Sequence, residues 1–203
     1  MTSRRISHNP SLSVAVLLFA LALPWGSAFA GSPAAGVPRF YQVNERVYRG
    51  GQATDEGFRS LAELGIKTIV DLRESGERAG SEKKVVEAAG MRYVNVPMKG
   101  MQRPSDEQIS QVLAILNDSS AGPVFVHCRR GADRTGTVIA VYRITHDNWQ
   151  NQQALKEARA IGMSWVEFAL QSYIREYRPT AQNQANTDAP TTTAAQRSAA
   201  GGN

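Results

Sequence analysis

The stretch Pro123-Val124-Phe125-Val126-His127-Cys128-Arg129-Arg130-Gly131-Ala132-Asp133-Arg134-Thr135-Gly136 decides the fold. Its opening, PVFVH, is a short apolar, β-branched run, the composition of a buried strand. From Thr135 to about His146 the pattern becomes helical. Between them stands H-C-x-x-G-x-x-R-T-G, which average residue usage produces by chance on the order of once per million chains of this length. The short loop between Cys128 and Arg134 can curl so that its amide N–H groups converge on one centre. The following helix aims its positive end at the same point, and the two together make a nest for a dianion. Gly131 admits a backbone conformation that a side chain would block. Arg134 can clamp two phosphate oxygens with its planar fork. The same donors favour a thiolate, which makes Cys128 a ready nucleophile. Thr135 is placed to donate a hydrogen bond to that sulfur, and His127 to orient the cysteine from behind the loop. Arg129, Arg130, Gly131, Ala132, Asp133 and Arg134 form the expected binding surface for the anion.

Outward from this stretch, strand and helix patterns alternate. Arg46–Arg49 is a short strand candidate ended by Gly50-Gly51, and Thr54 opens a helix with acids at Asp55 and Glu56. Lys67–Leu72 is a buried strand, Glu82–Ala89 a helix closed by Gly90, and Met91–Pro97 another strand. Ser105 caps a helix to about Asn117, with Gln108 completing a capping box and Ile109, Val112, Leu113 and Leu116 on the apolar face. Two further helices are expected at Asn151–Ala160 and Ser164–Tyr177. The alternation predicts a single α/β domain with a central, largely parallel sheet of about four or five strands flanked by helices. In such sheets ligands bind beyond the C-terminal ends of the strands, and Cys128 lies at one of those ends.

The termini read differently. Arg4-Arg5, the apolar run Leu12–Leu23 and the small-residue exit Ala28-Phe29-Ala30 are the three parts of a secretory signal peptide. Residues 1–30 are therefore expected to direct export, to the periplasm or the medium, and 31–37 to be a linker. The apolar run falls short of the roughly 20 residues that span a bilayer, so no stable membrane span is expected after cleavage. Residues 179–203 hold no Leu, Ile, Val, Phe, Tyr or Trp and are expected to be a disordered tail. The domain is then 38–178.

The 203 residues carry 23 Lys and Arg against 18 Asp and Glu. Loss of residues 1–30 removes Arg4 and Arg5 and no acid, leaving +3. So mild an excess, with no long basic run, gives no reason to expect a nucleic-acid partner. Cys128 is the sole cysteine, which excludes an intrachain disulfide and any zinc site built on several thiols. His8, His127 and His146 are too scattered for a His-rich metal site. No G-x-x-x-x-G-K-[ST] loop is present. Oligomeric state is not legible.

The loop and its flanks resemble the cysteine-dependent phosphatases of the tyrosine and dual-specificity superfamily. Val47-Tyr48-Arg49-Gly50-Gly51-Gln52 and Gly65–Arg73 look like the opening of small atypical dual-specificity phosphatases of bacteria, plants and fungi. The resemblance covers roughly Arg46 to Ile144 and implies hydrolysis of phosphate monoesters. Cys128 would form a cysteinyl phosphate, and an aspartic acid would protonate the leaving oxygen and then activate water. It implies neither a metal nor a cofactor, and the partner is a phosphorylated protein, inositol phosphate or lipid.

Much of that superfamily carries its acid some thirty residues before the cysteine, and Val96–Met101 offers none. Asp106, 22 residues before Cys128, is the expected general acid, at a spacing similar to that of the plant and fungal members. The rival is Asp133 within the loop, as in the myotubularin-like branch. Asp106 in a first helical turn also favours the helix dipole, and Asp133 could hold the loop. Asp71 and Arg73 read as a structural pair. Lys99, Arg103, Arg129 and Arg130 are expected near the pocket, where they would favour a polyanion. The alternatives are a phosphate-binding module without catalysis and a rhodanese-like sulfurtransferase. Arg134-Thr135-Gly136 argues against the latter.

Overall fold

The computed structural model describes residues 34–180. The expected signal peptide (1–30), the first linker residues (31–33) and all but the start of the expected tail (181–203) lie outside the described residues. The chain runs β1 (Tyr41–Gln42), β2 (Val47–Gly51), α1 (Asp55–Glu63), β3 (Thr68–Asp71), α2 (Glu77–Ala88), β4 (Arg92–Asn95), α3 (Asp106–Asn117), β5 (Val124–Cys128), α4 (Asp133–His146), α5 (Asn151–Ala160) and α6 (Phe168–Glu176). The sheet order is β1-β2-β5-β3-β4. β5 pairs in parallel with β2 and β3, β3 in parallel with β4, and only β1 is antiparallel. The strand that carries Cys128 is thus the central one, as the doubly flanked apolar run requires.

Successive side chains on a strand point to opposite faces, and here the two faces meet different helices. Val47, Val70, Val124, Val126 and Cys128 pack with α3, α4, α5 and α6. Ile69 and Phe125 pack with Phe58 and Leu61 of α1 and Val86 of α2. Sequence and structure differ at four places with physical reasons. Gly50-Gly51, expected to stop β2, finish it: they pair with His127 and Cys128. A Cβ on Gly50 would meet the Phe125 ring at 2.8 Å, and one on Gly51 the Arg130 carbonyl at 3.2 Å. Helix α2 starts at Glu77, before the expected Glu82, and its buried face is Ala79, Glu82 and Val86. An acid on that inward stripe disguised the periodicity. Helix α6 starts at Phe168, past the expected Ser164, because residues 164–168 turn on short bonds from Glu167 N to Ser164 O and from Phe168 N to Val166 O. Finally, Ala34 and Val37, within the expected linker, are buried against α1 and its neighbours, so packing begins ahead of Pro38.

The capping box is formed as the sequence indicates: Ser105 Oγ accepts from Gln108 N, and Ser105 N donates to Gln108 Oε1. Gln108 Nε2 also donates to Pro97 O at 2.5 Å, tying α3 to the end of β4. Ser105→Ala removes one capping bond. Its expected cost is about 1 kcal/mol, to be read as a lower urea midpoint with an unchanged slope.

Candidate active site

Cys128 ends β5 and is 2% exposed. The chain leaves the sheet there, turns through Arg129–Ala132, and enters α4 at Asp133. Three carbonyls of this turn are held from outside. Arg129 O accepts from Gln52 N at 3.3 Å, Arg130 O from Arg39 Nη1 at 3.2 Å, and Gly131 O from Arg49 Nη2 at 2.9 Å. In a planar trans peptide the carbonyl and the next N–H point in opposite directions. Fixing those carbonyls outward therefore aims the N–H groups of Arg130, Gly131 and Ala132 inward, at the mouth above Cys128. The N-terminus of α4 adds its positive end.

Gly131 makes the turn possible. Its φ is +73°, and a Cβ there would fall 2.4 Å from Gly50 C and Gly51 N. These are backbone atoms with no room to give, so the loop lies directly on the glycine end of β2. Arg134 is half-buried and donates through Nη1 to Met98 O at 3.0 Å and Leu72 O at 3.3 Å. Those two carbonyls, in the segments that follow β3 and β4, hold the guanidinium in place. Thr135 is fully buried, and its hydroxyl makes no hydrogen bond among the described residues, to Cys128 or otherwise.

The opposite face of the sheet carries charge. His127 is wholly buried, stacked on Phe125 and edge-on to Phe58. Its Nε2 lies 2.8 Å from Glu82 Oε1 and 3.9 Å from Asp71 Oδ1. Arg73 Nη2 bridges Asp71 Oδ2 at 2.6 Å and Glu82 Oε2 at 2.7 Å. Tyr93 donates its hydroxyl to Asp71 Oδ2 at 2.7 Å. Asp71, Glu82 and His127 come within 4.8 Å of one another, a spacing that could hold a metal ion. The Arg73 guanidinium already bridges both carboxylates. Burial pushes the Asp71 carboxyl up, but the hydrogen bonds from Arg73, the neighbouring His127 and the Tyr93 hydroxyl outweigh it and hold it below the ordinary carboxylate value.

Of the other expected residues, Arg129 and Arg134 line one cavity, Arg103 and Asp106 another, and Lys99, Arg130 and Asp133 neither. A cleft of about 200 Å³ is lined by Gln52, Arg73, Glu74, Arg78, Arg129 and Arg134. Arg130 is exposed and lies 3.4 Å from Asp133 Oδ2, while Asp133 Oδ1 accepts from Ser164 N at 2.9 Å. Asp133 thus ties the loop to the segment before α6. Asp106 lines a separate cavity of about 260 Å³ with Arg103, Tyr173 and Glu176, and accepts a hydrogen bond from the Tyr173 hydroxyl at 3.0 Å. Arg103 is paired with Glu176 at 2.8 Å and lies over the Tyr173 ring, away from the arginine-lined cleft. Lys99 is exposed.

Sequence reasoning missed Arg39, Arg49, Gln52, Arg78, Glu82 and Glu167. Glu167 stands at the N-cap position of α6 without a side-chain capping bond, and burial and nearby Asp133 push its carboxyl up against the pull of Arg130 and Arg134. Only Arg49-Gly50-Gly51-Gln52 carried a usable signal, since a doubled glycine beside a strand marks a close backbone approach.

Comparison with known proteins bears on the family and the fold. The family model described as DSP-PTPase phosphatase fused to NAD+ kinase matches residues 38–176. The dual specificity protein phosphatase TpbA of Pseudomonas aeruginosa (strain UCBPP-PA14) is 31% identical over 123 residues, covering 60% of this chain and 54% of that protein. The probable NAD kinase 2, chloroplastic, of Oryza sativa subsp. japonica is 32% identical over 100 residues, covering 47% of this chain and 10% of that protein. Among solved structures, the core catalytic domain of the PP-IP phosphatase SIW14 from S. cerevisiae superposes with a TM-score of 0.64 at 26% identity. That match covers 73% of this chain and 91% of the other. The chain spans between about a tenth and about half the length of these two curated relatives.

Linkage sets the sign for the buried cluster. A carboxyl held down by folding stabilises the protein above the ordinary value, and that stabilisation is lost as pH falls through about 4 and below. Asp71→Asn leaves Arg73 with half its partners and is expected to cost about 3–5 kcal/mol at neutral pH. Thermal melts from pH 7 down to pH 3 should show the variant below the wild type at pH 7, with the gap narrowing in acid.

Proposed function

The chain belongs to the family of DSP-PTPase phosphatases fused to NAD+ kinase, and from that premise we propose that it hydrolyses phosphate monoesters through a cysteinyl phosphate on Cys128. The observation that carries the reading is the loop itself, with three outward-held carbonyls, inward amides and an arginine fixed beside a strand-end thiol. An anion seated there would accept from the amides of Arg130, Gly131 and Ala132 and from Arg134. Cys128 Sγ attacks phosphorus, an S–P bond forms, and the bond from phosphorus to the leaving oxygen breaks. Water then cleaves the S–P bond and releases inorganic phosphate. Donors aimed at the equatorial oxygens stabilise the charge that develops in both steps. The uncommitted Thr135 hydroxyl is a ready donor to the departing thiolate.

Asp106 is our proposed donor of the proton to the leaving oxygen, a role that requires its carboxyl to leave the Tyr173 hydroxyl and turn from its own cavity toward the cleft. Its helix is coupled to the site: Met98 O holds Arg134, and Gln108 in the same first turn of α3 holds Pro97 O. Asp133, with its oxygens facing Ser164 N and Arg130, is better suited to holding the loop. The preferred substrate is a polyanionic phosphate. Arg78 and Arg129 share the cleft with Arg134, and a second phosphate on the substrate would meet them. The description of the SIW14 relative as a PP-IP phosphatase supports this choice. The same proposal places the enzyme outside the cytoplasm, on the strength of Arg4-Arg5, Leu12–Leu23 and Ala28-Phe29-Ala30.

Phosphate release without added metal, in reducing buffer, tests the reading on an activated aryl phosphate, a phosphotyrosine peptide and an inositol polyphosphate. Activity that vanishes in Cys128→Ser, with the inositol polyphosphate ranked first, is the expected result. No release from folded protein that still binds vanadate would favour a phosphate-binding module.

Asp106→Asn is expected to slow an alkyl phosphate by about 100-fold or more, in the range of general-acid effects. An activated aryl phosphate, whose leaving group needs no proton, should slow far less. The same pattern in Asp133→Asn instead would move the role to that residue.

A further inference from the structure

Arg49 is the least expected residue near the site. It sits mid-strand in β2 opposite Val126, and it is 1% exposed. Strand alternation puts it on the same face as Val47 and Cys128, turned toward α4 and α5. Its Nη2 donates to Gly131 O at 2.9 Å. The same atom lies 3.7 Å from where a Cβ on Gly136 would be, so the guanidinium passes between the loop and the first turns of α4. Its Nε and Nη1 are buried and have no hydrogen-bond partner among the described residues. A buried cation with unsatisfied donors is costly unless an anion answers it.

The charged and titratable groups that bear on it come from every side. Glu157 of α5, Cys128 of β5 and Tyr41 of β1 favour its charge, and Arg143 of α4 opposes it. Burial dominates these and lowers the guanidinium to about 10. Glu157 is itself taken up by Arg143, whose Nη2 lies 3.2 Å from Glu157 Oε1. Cys128 lies in the same packed cluster as Val47 and Val126, the neighbours of Arg49 on this face.

We propose that Arg49 is a positioning residue of the site, acting from beneath the loop. It holds the Gly131 carbonyl down, which turns the Ala132 amide inward, and it supplies the positive charge against which the Cys128 thiolate forms. Arg134 answers the substrate from above, and Arg49 answers the sulfur from below. The inference rests on the phosphatase reading, because it assigns Cys128 as the nucleophile.

The test measures the thiolate directly, without turnover. The ultraviolet absorbance of the thiolate is followed against pH in the full chain, with Cys128→Ser as the blank, and compared with Arg49→Met and Arg49→Lys. The wild type is expected to show the thiolate near neutral pH. Arg49→Met should show it only at higher pH, with at least a tenfold loss of thiolate at pH 6, and Arg49→Lys should restore most of it. An Arg49→Met protein that is less stable but keeps the wild-type thiolate profile would overturn the proposal and leave Arg49 a packing residue. If Arg49→Met does not fold, Arg49→Lys decides. A retained thiolate with altered vanadate affinity supports the charge and carbonyl roles, and a lost thiolate contradicts them. A wild type with no thiolate signature at neutral pH would overturn the nucleophile assignment, and this inference with it.

Discussion

The outward tethering of three consecutive carbonyls is the constraint on which the rest of the site depends. Gln52, Arg39 and Arg49 all precede β3, and each takes one carbonyl of the turn after β5. An anion site needs convergent N–H groups, and a loop left to itself would satisfy its carbonyls and amides in water in many ways. By engaging the carbonyls, the N-terminal part of the chain removes that freedom. The parallel pairing of β2 with β5 brings those donors to the right height, with Gly51 beside Cys128. The glycines at 50, 51 and 131 then let the two backbones come within the distance the tethers require.

The alternation of β5 separates two electrostatic environments across one sheet. Cys128 lies on the side of α4, the side to which β2 also turns Arg49, while His127 faces α1 and α2 and the Asp71–Arg73–Glu82 cluster. The cluster also fixes the end of β3: Arg73 N donates to Asp71 Oδ1, and the next carbonyl, that of Leu72, holds Arg134. A network behind the sheet therefore orients the arginine in front of it. Such buried ionic groups cost desolvation and stabilise little in net terms. Their effect here is to hold one conformation of the strand ends.

The fold was legible because the central strands β3 and β5 announced themselves by β-branched composition and helices such as α3 by apolar spacing. The capping box at Ser105 and the strand at Val124 appear where the residues indicate. Cys128, Gly131 and Arg134 were legible for another reason: their chemistry is compressed into one short loop. What stayed hidden acts across long sequence separations. Arg49 reads as a strand residue and Glu82 as a helix residue, and nothing in either segment says that it is buried beside residue 131 or 127. The two-residue strand β1 leaves no periodic signal at all. Asp106 shows the same limit. Its spacing from Cys128 was visible, but its hydrogen bond to Tyr173, 67 positions away, was not.

The most direct test of the account is a crystal structure of the protein with orthovanadate. Vanadium is expected bonded to Cys128 Sγ, with its oxygens accepting from the N–H groups of Arg130, Gly131 and Ala132 and from the guanidinium of Arg134, and with the three loop carbonyls still held by Gln52, Arg39 and Arg49. Vanadate seated elsewhere, or a loop whose carbonyls face the ion, would contradict it.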